Sequence, residues 1–303
     1  MKKILITGAK GFIGSNVAKH FKNVGFTTYG IGHGDLFVDE CCAIGLDSWY
    51  KSDVSIQTIK DINQVFDVIV HCGGSGSVGL SVENPYEDFK KTVDGTLEVL
   101  EYMRLYNKDA HLIYPSSPAV QGECPDKPIK EEYVGKPLSP YGYHKKIAED
   151  LCRSYSDKYD IKISVIRFFS VYGNGLRKQL LWDACNKIIK AGHKVIFWGT
   201  GNETRDFIHL NDVLNIFKSV MNIDEKYIVI NGGSGEKHTV REVVLLIREL
   251  LQSDCNIEFN NRANEGNPMY YWADTAKLDA TGYTNKTALL DGLKNYIEWI
   301  KTI

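Results

Sequence analysis

Tyr141 and Lys145 stand four residues apart in Pro140-Tyr141-Gly142-Tyr143-His144-Lys145, the spacing that puts two side chains on one face of a helix. A lysine ammonium beside a phenol favours the phenolate and draws the tyrosine down from its ordinary pKa of about 10. Tyr141 is therefore a candidate general acid and base. Tyr143 meets Ile147 at the matching position and Lys146 meets Gly142, so only one pair in this cluster fits. Taken alone, a Tyr-x-x-x-Lys also describes an ordinary exposed helix face. Ser117 follows the apolar run that ends in Ile113-Tyr114-Pro115-Ser116. That run reads as a strand, and strand C-termini are where α/β sheets bind ligands. A hydroxyl there can hydrogen-bond a substrate oxygen beside the tyrosine.

A second set of residues can hold phosphate. The apolar run Lys3–Thr7 passes straight into Gly8-Ala9-Lys10-Gly11-Phe12-Ile13-Gly14, which is Gly-x-x-Gly-x-x-Gly, and then into the helical pattern Val17, Ala18, Phe21, Val24. Glycine serves the tight turn, the close approach of backbone N–H groups to a pyrophosphate, and helix–sheet packing. The helix N-terminus then faces the phosphates. Such a fold usually ends its second strand with an acid that binds the adenosine ribose. Here Thr27–Ile31 ends in Gly32-His33-Gly34, and Asp35 comes too late. A missing carboxylate removes repulsion against a 2′-phosphate, and Lys10 and His33 can supply positive charge. The reading therefore favours NADP(H), with NAD(H) the other option. Asp53 and Val54 follow the next strand-like stretch and are placed against the adenine.

These residues need a frame. Lys3–Thr7, Thr27–Ile31, Val65–His71, His111–Pro115 and Lys162–Arg167 read as buried parallel strands. Gly11–Val24, Pro85–Tyr106 and Pro140–Tyr159 read as the helices between them. Such alternation implies an α/β fold, a Rossmann-type doubly wound parallel sheet with helices on both faces. After about Ser170 the glycines cluster and the elements shorten. Residues 1–170 are expected to form the dinucleotide-binding domain with the Ser, Tyr and Lys, and 171–303 mainly a smaller C-terminal lobe, with some chain returning to the sheet. No internal repeat or flexible linker interrupts the chain.

Together these pieces resemble the extended short-chain dehydrogenase/reductase family, specifically its nucleotide-sugar epimerases, dehydratases and reductases. The likeness runs nearly the whole length: Thr7–Gly14, Asp67–Gly74, Asn84-Pro85, Ser117–Val120 with Gly122, Tyr141 with Lys145, Arg167-Phe168-Phe169, Val171-Tyr172-Gly173 and Arg205-Asp206-Phe207-Ile208-His209. Gly266-Asn267-Pro268 and Tyr271-Trp272-Ala273-Asp274 resemble the C-terminal segment of UDP-galactose 4-epimerases. The resemblance implies a catalytic trio of Ser117, Tyr141 and Lys145. It implies cofactor contact at Gly73 and substrate contact at Ser170, Arg177, Arg205 and Arg262, with Lys178 as a helper. It implies a nucleotide-diphosphate sugar as substrate and a homodimer built on the stripes Ile147, Leu151, Tyr155 and Val93, Leu97, Leu100, Met103. Departures are Gly32 for the acid, Ser170 and Thr92 for asparagines, Gln121 for a tyrosine, and Asn264 and Asn267 for an arginine and an aspartate.

The resemblance also implies hydride transfer at a sugar carbon, C4. Pro118 and Ala119 stand where dehydratases of the family carry Asp-Glu, which sets dehydration aside. An NADPH-dependent 4-keto-sugar reductase is the first expectation, because the ribose-binding acid is missing. A 4-epimerase with tightly bound NAD is the alternative, and a non-catalytic dinucleotide sensor the third. Composition narrows the field independently. The chain has 303 residues, 43% hydrophobic and 24% charged, with a formal net charge of −2. That is an ordinary globular composition without the basic surface that holds nucleic acid. No apolar run approaches the ~20 residues of a membrane span. The first residues read as a strand and not as a signal peptide. The seven cysteines, with no Cys-x-x-Cys, argue against a disulfide framework or a metal site and for a reducing, cytoplasmic setting.

Overall fold

The computed structural model describes residues 1–262, 266, 268–284 and 286–303. Six strands come first in the chain: β1 (Lys3–Thr7), β2 (Thr27–Gly32), β3 (Ser48–Lys51), β4 (Val68–His71), β5 (His111–Ser116) and β6 (Lys162–Phe168). With Tyr227–Gly232 they form a seven-stranded sheet in the order Tyr227–Gly232, β6, β5, β4, β1, β2, β3. β1 pairs in parallel with both β2 and β4, so the winding reverses between β1 and β4. That reversal opens the crevice where doubly wound sheets hold ligands. β4 and β5 are buried along their whole length, as expected of strands covered on both faces.

Helices α1 (Phe12–Asn23), α2 (Val38–Ala43) and α3 (Ile56–Asp61) belong to the first half of the sheet. The single helix expected over Pro85–Tyr106 is instead a series. α4 (Val78–Glu83) and α5 (Pro85–Phe89) lead into a π turn at Lys90–Asp94, and α6 (Gly95–Tyr106) follows. The wide turn holds Thr92 and Val93 in the interior, and such turns often mark functional sites. α7 (Pro140–Tyr159) starts where Ser139 caps Gly142 and Pro140 fills the first turn. It stops at Asp160 in the left-handed region. Its buried stripe is Gly142, Lys145, Ala148, Glu149, Cys152 and Ser156, so a helix face aimed at the core carries two charged side chains. Glu149 is matched by Arg167 on β6, with Nη2–Oε2 at 2.7 Å, and accepts from Ser116 Oγ at 2.5 Å.

The chain divides into two compact units that interleave. The first comprises Met1–Val120, Ser139–Arg167 and Phe217–Ile230, the second Gln121–Leu138, Phe168–Ile216 and Asn231–Ile303. The boundary expected near 170 thus gives way to several crossings. The cause for 121–138 is local. Asn231 Nδ2 donates to Ile129 O at 2.7 Å, Asn231 N–H donates to Glu131 Oε1 at 2.9 Å, and Ile129 bridges to Ala273. In the second unit Ser170–Tyr172 pairs with Phe207–His209, and Lys194–Phe197 with Asn256–Phe259. Of the stripes expected to dimerise, Val93, Leu100 and Met103 are buried. Leu97 and Ile147 stay 38% and 39% exposed. No described helix is long and apolar enough to cross a membrane.

Two buried histidines give this fold an acid limit. Burial pushes His71 down to about 3 and His111 to about 4, from 6.5, with Lys145 and Lys162 adding to it. The folded chain therefore binds fewer protons than the unfolded chain below pH 6.5, and stability present above that value is lost as pH falls. The loss is expected to reach about 2 kcal/mol per histidine near pH 5. Urea unfolding at about pH 7.5 and about pH 5 measures it, and His111→Gln should remove about half of the difference. Equal midpoints at the two pH values would refute the account.

Candidate active site

The glycine loop is a cradle that only glycine can line. Gly8 has φ +63°, and a Cβ there would lie 2.7 Å from Cys72 O at the end of β4. A Cβ on Gly14 would lie 2.3 Å from Gly8 O. Gly11 begins α1, whose first turn holds no acid, and among the described residues no side chain caps it. Free N–H groups therefore point out of this helix start, as an anion requires. Gly73 N–H donates to Thr7 Oγ1 at 2.9 Å, and a Cβ on Gly73 would touch Val54 Cγ2 at 3.3 Å. The structure thus brings Gly8, Gly11, Gly14, Val54 and Gly73 together, with Phe12 and Ile13 half-buried on the first turn of α1. A dinucleotide fits this cradle.

The end of β2 differs from expectation. A Cβ on Gly32 would meet Trp49 Cη2 at 2.9 Å, so the indole of β3 fills the side where a carboxylate would stand. Trp49 Nε1 is buried with no hydrogen-bond partner among the described residues. The charges at this corner are offset. His33 pairs with Asp53 at 3.3 Å and Lys51 with Asp35 at 2.8 Å. Lys10 Nζ donates to Asp35 O at 2.9 Å, and both lysines hold the Asp35 carboxyl below its usual range, Lys51 first. Lys10 and His33 are therefore not the unopposed cations that a 2′-phosphate pocket needs.

Ser117, Tyr141 and Lys145 lie at the carboxyl end of β5 and on the first turns of α7. Ser117 stands close enough to the Tyr141 phenol to oppose the rise in its pKa. Lys145 is 6% exposed. Its Nζ donates to Pro115 O at 2.9 Å and Tyr114 Oη at 3.2 Å and lies 4.6 Å over the Tyr114 ring. Burial lowers Lys145 to about 8. The expected pull of Lys145 on Tyr141 is overridden: burial pushes the phenol up to about 12, Ser117 opposing and Asp88 adding to the rise. Tyr141 thus rests as a neutral phenol that can donate a proton, beside an ammonium one helical turn away.

In the second unit, Arg205 is drawn inward. Its Nη1 donates to Thr204 O at 2.6 Å and Pro268 O at 2.9 Å, and burial lowers its pKa. No carboxylate is bonded to it among the described residues, which suits an incoming diphosphate. Ser170 N–H donates to Asp206 O at 2.9 Å, and Ser170–Tyr172 pairs with Phe207–His209, the strand that follows Arg205 in the chain. Arg177 and Arg262 are each placed over a tryptophan, Trp299 at 5.8 Å and Trp198 at 5.9 Å. Asn264 and Asn267 lie outside the described residues. Several site residues escape a reading by spacing: His71, whose Nδ1 bonds Thr7 Oγ1 at 2.7 Å, and the Asp88–His144 pair at 2.5 Å. The one available signal was a histidine closing a wholly apolar strand.

The winding reversal, the glycine cradle and the Tyr-x-x-x-Lys helix define a dinucleotide-dependent enzyme of the extended short-chain dehydrogenase/reductase class. Residues 4–233 match the NAD dependent epimerase/dehydratase family, and the chain belongs to it. It is 26% identical to a UDP-glucuronate 4-epimerase of Thermodesulfobacterium geofontis, over 98% of this chain and 95% of that one. The crystal structure of a UDP-glucose 4-epimerase from Thermotoga maritima with UDP-glucose matches with TM-score 0.89 at 25% identity over 99% of both chains. A mutant UDP-glucuronic acid 4-epimerase from Bacillus cereus, bound to UDP-4-deoxy-4-fluoro-glucuronic acid and NAD, matches with TM-score 0.88 at 25% identity, again over 99% of both. These likenesses favour the epimerase alternative over the reductase and NAD over NADP. The filled, charge-offset end of β2 is the physical reason the argument from Gly32 misleads.

Two substitutions test the cradle. Gly14→Ala sets a methyl against the Gly8 carbonyl, and overpacking of this kind costs about 1–3 kcal/mol. NAD affinity is expected to fall at least about tenfold, equivalent to about 1.4 kcal/mol. Gly32→Asp must displace Trp49 and is expected to weaken NAD as well. Fluorescence titration on folded protein decides both, and unchanged NAD affinity in Gly14→Ala would remove the cradle assignment.

Proposed function

We propose that the protein is a UDP-sugar 4-epimerase that works with bound NAD. The observation that carries this reading is full-length similarity to epimerases joined to an intact Ser117, Tyr141 and Lys145 on adjoining elements. The glycine cradle would hold the pyrophosphate of the dinucleotide, whose nicotinamide would supply the hydride acceptor and donor. Tyr141, once deprotonated, would take the proton of the C4 hydroxyl as the carbon is oxidised and return it to the oxygen after the keto-sugar has turned over. Ser117 bonds that oxygen throughout and keeps it within reach of the phenol. Lys145, one helical turn from the phenol, would hold the nicotinamide ribose. Arg205 would receive the diphosphate, with Ser170 bonded to the adjoining Asp206 backbone, and Arg177 and Arg262 would assist from their tryptophans. Ser116, Glu149 and Arg167 fix the turn on which Ser117 stands.

The exposed Leu97 on α6 and Ile147 on α7, with Tyr143 beside them, support a homodimer through these helices. The stripe is narrower than the sequence implied, because α6 spends Val99, Leu100 and Met103 on the core.

The reading is tested on the full chain with NAD and a panel of UDP-glucose, UDP-galactose, UDP-glucuronate and UDP-N-acetylglucosamine. Interconversion of one epimeric pair without net NADH formation is expected. Consumption of NADPH by a 4-keto-sugar, with no epimerisation, would instead establish the reductase. Tyr141→Phe is expected to lower turnover by about 10²–10⁴-fold while NAD affinity stays within about twofold, because only the proton route is lost. Near-normal turnover in Tyr141→Phe would remove the phenol from the mechanism.

A further inference from the structure

β2 ends in a pattern that the reaction scheme leaves unused. Gly30 and Gly32 are two positions apart and so share one face of the strand, and neither faces open space. A Cβ on Gly30 would lie 2.7 Å from Leu46 Cδ1 and 2.9 Å from Ala9 Cβ in the glycine loop. A Cβ on Gly32 would lie 2.9 Å from Trp49 Cη2, 3.6 Å from Trp49 Cζ3 and 3.9 Å from Ala9 N. Ala9 N–H in turn donates to Ile31 O at 3.3 Å. The glycine loop and the far ring of the indole therefore meet at the same end of β2. Trp49 is brought there by the sheet itself: it pairs with Gly30, so its side chain stands on the face that carries the two glycines.

The indole is not held there by its hydrogen bond. Trp49 Nε1 is buried with no hydrogen-bond partner among the described residues, whereas a buried indole N–H ordinarily finds one. What the position uses is the bulk of the second ring, and the residue as a whole is only half-buried. In a doubly wound fold the adenosine ribose lies at this strand end. An acid there bonds the 2′-hydroxyl of NAD, or a cation receives the 2′-phosphate of NADP. This corner offers no acid at Gly32, and its cations are engaged. Lys51 pairs with Asp35 at 2.8 Å, His33 pairs with Asp53 at 3.3 Å, and Lys10 Nζ donates to Asp35 O at 2.9 Å. A 2′-phosphate set against the indole would lose water on that side without an unengaged cation to replace it. A neutral hydroxyl loses far less.

We propose that Trp49 selects the cofactor: its far ring stands in the place of the missing acid, beside the adenosine ribose, and admits a 2′-hydroxyl while turning away a 2′-phosphate. The inference rests on the dinucleotide-binding part of the proposed function. It deepens that reading by naming the residue that sets the choice of NAD over NADP.

The test needs neither sugar nor turnover. Calorimetry gives Kd for NAD and for NADP on the full chain, stripped of any bound dinucleotide, and on Trp49→Val, whose β-branched side chain suits a strand. The wild type is expected to bind NAD at least about tenfold tighter than NADP, and in Trp49→Val that ratio is expected to fall about tenfold towards parity. An indole that merely packs would weaken both cofactors alike and leave the ratio in place. Should Trp49→Val fail to fold, Trp49→Phe keeps an aromatic ring on β3 but lacks the second ring that touches Gly32, and the ratio is expected to fall at least about threefold. A second readout is the emission of Trp49 itself, isolated by subtracting the spectrum of Trp49→Phe. ADP-ribose, the part of the cofactor without nicotinamide, is expected to change that emission to saturation. Tighter NADP binding in the wild type, an unmoved ratio in either folded variant, or Trp49 emission indifferent to bound ADP-ribose overturns the inference. A moved ratio in a chain that interconverts no UDP-sugar upholds it and sinks the epimerase reading instead.

Discussion

The ammonium of Lys145 sits inside the protein, held by one carbonyl and one phenol, and much of the first unit is arranged around that fact. Taking a charge out of water is costly unless its donors are used. Here they meet Pro115 O and Tyr114 Oη at the end of β5. That contact ties the first turns of α7 to the strand that ends in Ser117, so the element bearing the phenol and the element bearing the hydroxyl share one anchor. One turn further along the same buried face, Glu149 is closed by Arg167 and Ser116. The helix face that should have been apolar therefore alternates, with Lys145 and Glu149 set between Gly142, Ala148 and Cys152. Lys145 also holds His71 in its neutral form, adding its charge to the burial that lowers the imidazole.

What could be read from the sequence has a common character: it is local. Tyr141 and Lys145 share a face because a helix turns every 3.6 residues, and Ser139-Pro140 announces that helix. Gly8 and Gly14 are legible because each serves one short-range backbone need. The strand and helix alternation gives the sheet, including the reversal between β1 and β4. What stayed hidden depends on distant residues meeting. Asp88 and His144 are separated by 56 positions, and nothing in either neighbourhood announces the other. The π turn at Lys90–Asp94 leaves no periodicity break strong enough to split Pro85–Tyr106. Segment 121–138 joins the second unit through hydrogen bonds to Asn231, a hundred residues or more away.

The cofactor corner shows how a correct local observation points away from the cofactor that the similar structures bind. Gly32 does stand where a carboxylate is usual, and Lys10 and His33 do lie close to it. The inference to a 2′-phosphate assumed that the side chain removed at Gly32 leaves a gap and that nearby cations are unopposed. Neither holds. Trp49 approaches from β3, a strand whose pairing with β2 runs Gly30 to Trp49 and Gly32 to Lys51, and the indole uses the room that glycine leaves. The same pairing delivers Lys51 to Asp35, so the acid that came too late to bind ribose directly collects the local positive charge.

The second unit solves the opposite problem. Asp206 is buried beside Arg205, yet the two do not neutralise each other by direct contact among the described hydrogen bonds. The Asp206 carboxylate accepts from Ser234 N–H and Oγ at 2.7 Å each, from Gly235 N–H at 2.9 Å and from Ala273 N–H at 3.1 Å. Those four donors offset much of the penalty that burial places on its charge. The carboxylate is thereby occupied by backbone, and Arg205 is left with the carbonyls of Thr204 and Pro268 as its bonded partners. A guanidinium held by neutral acceptors keeps its full charge for an incoming anion. An Arg-Asp sequence would satisfy itself if the two side chains met. By folding Asp206 into its own nest of donors, the chain separates neighbours of opposite charge and leaves the positive one without a carboxylate partner among the described residues.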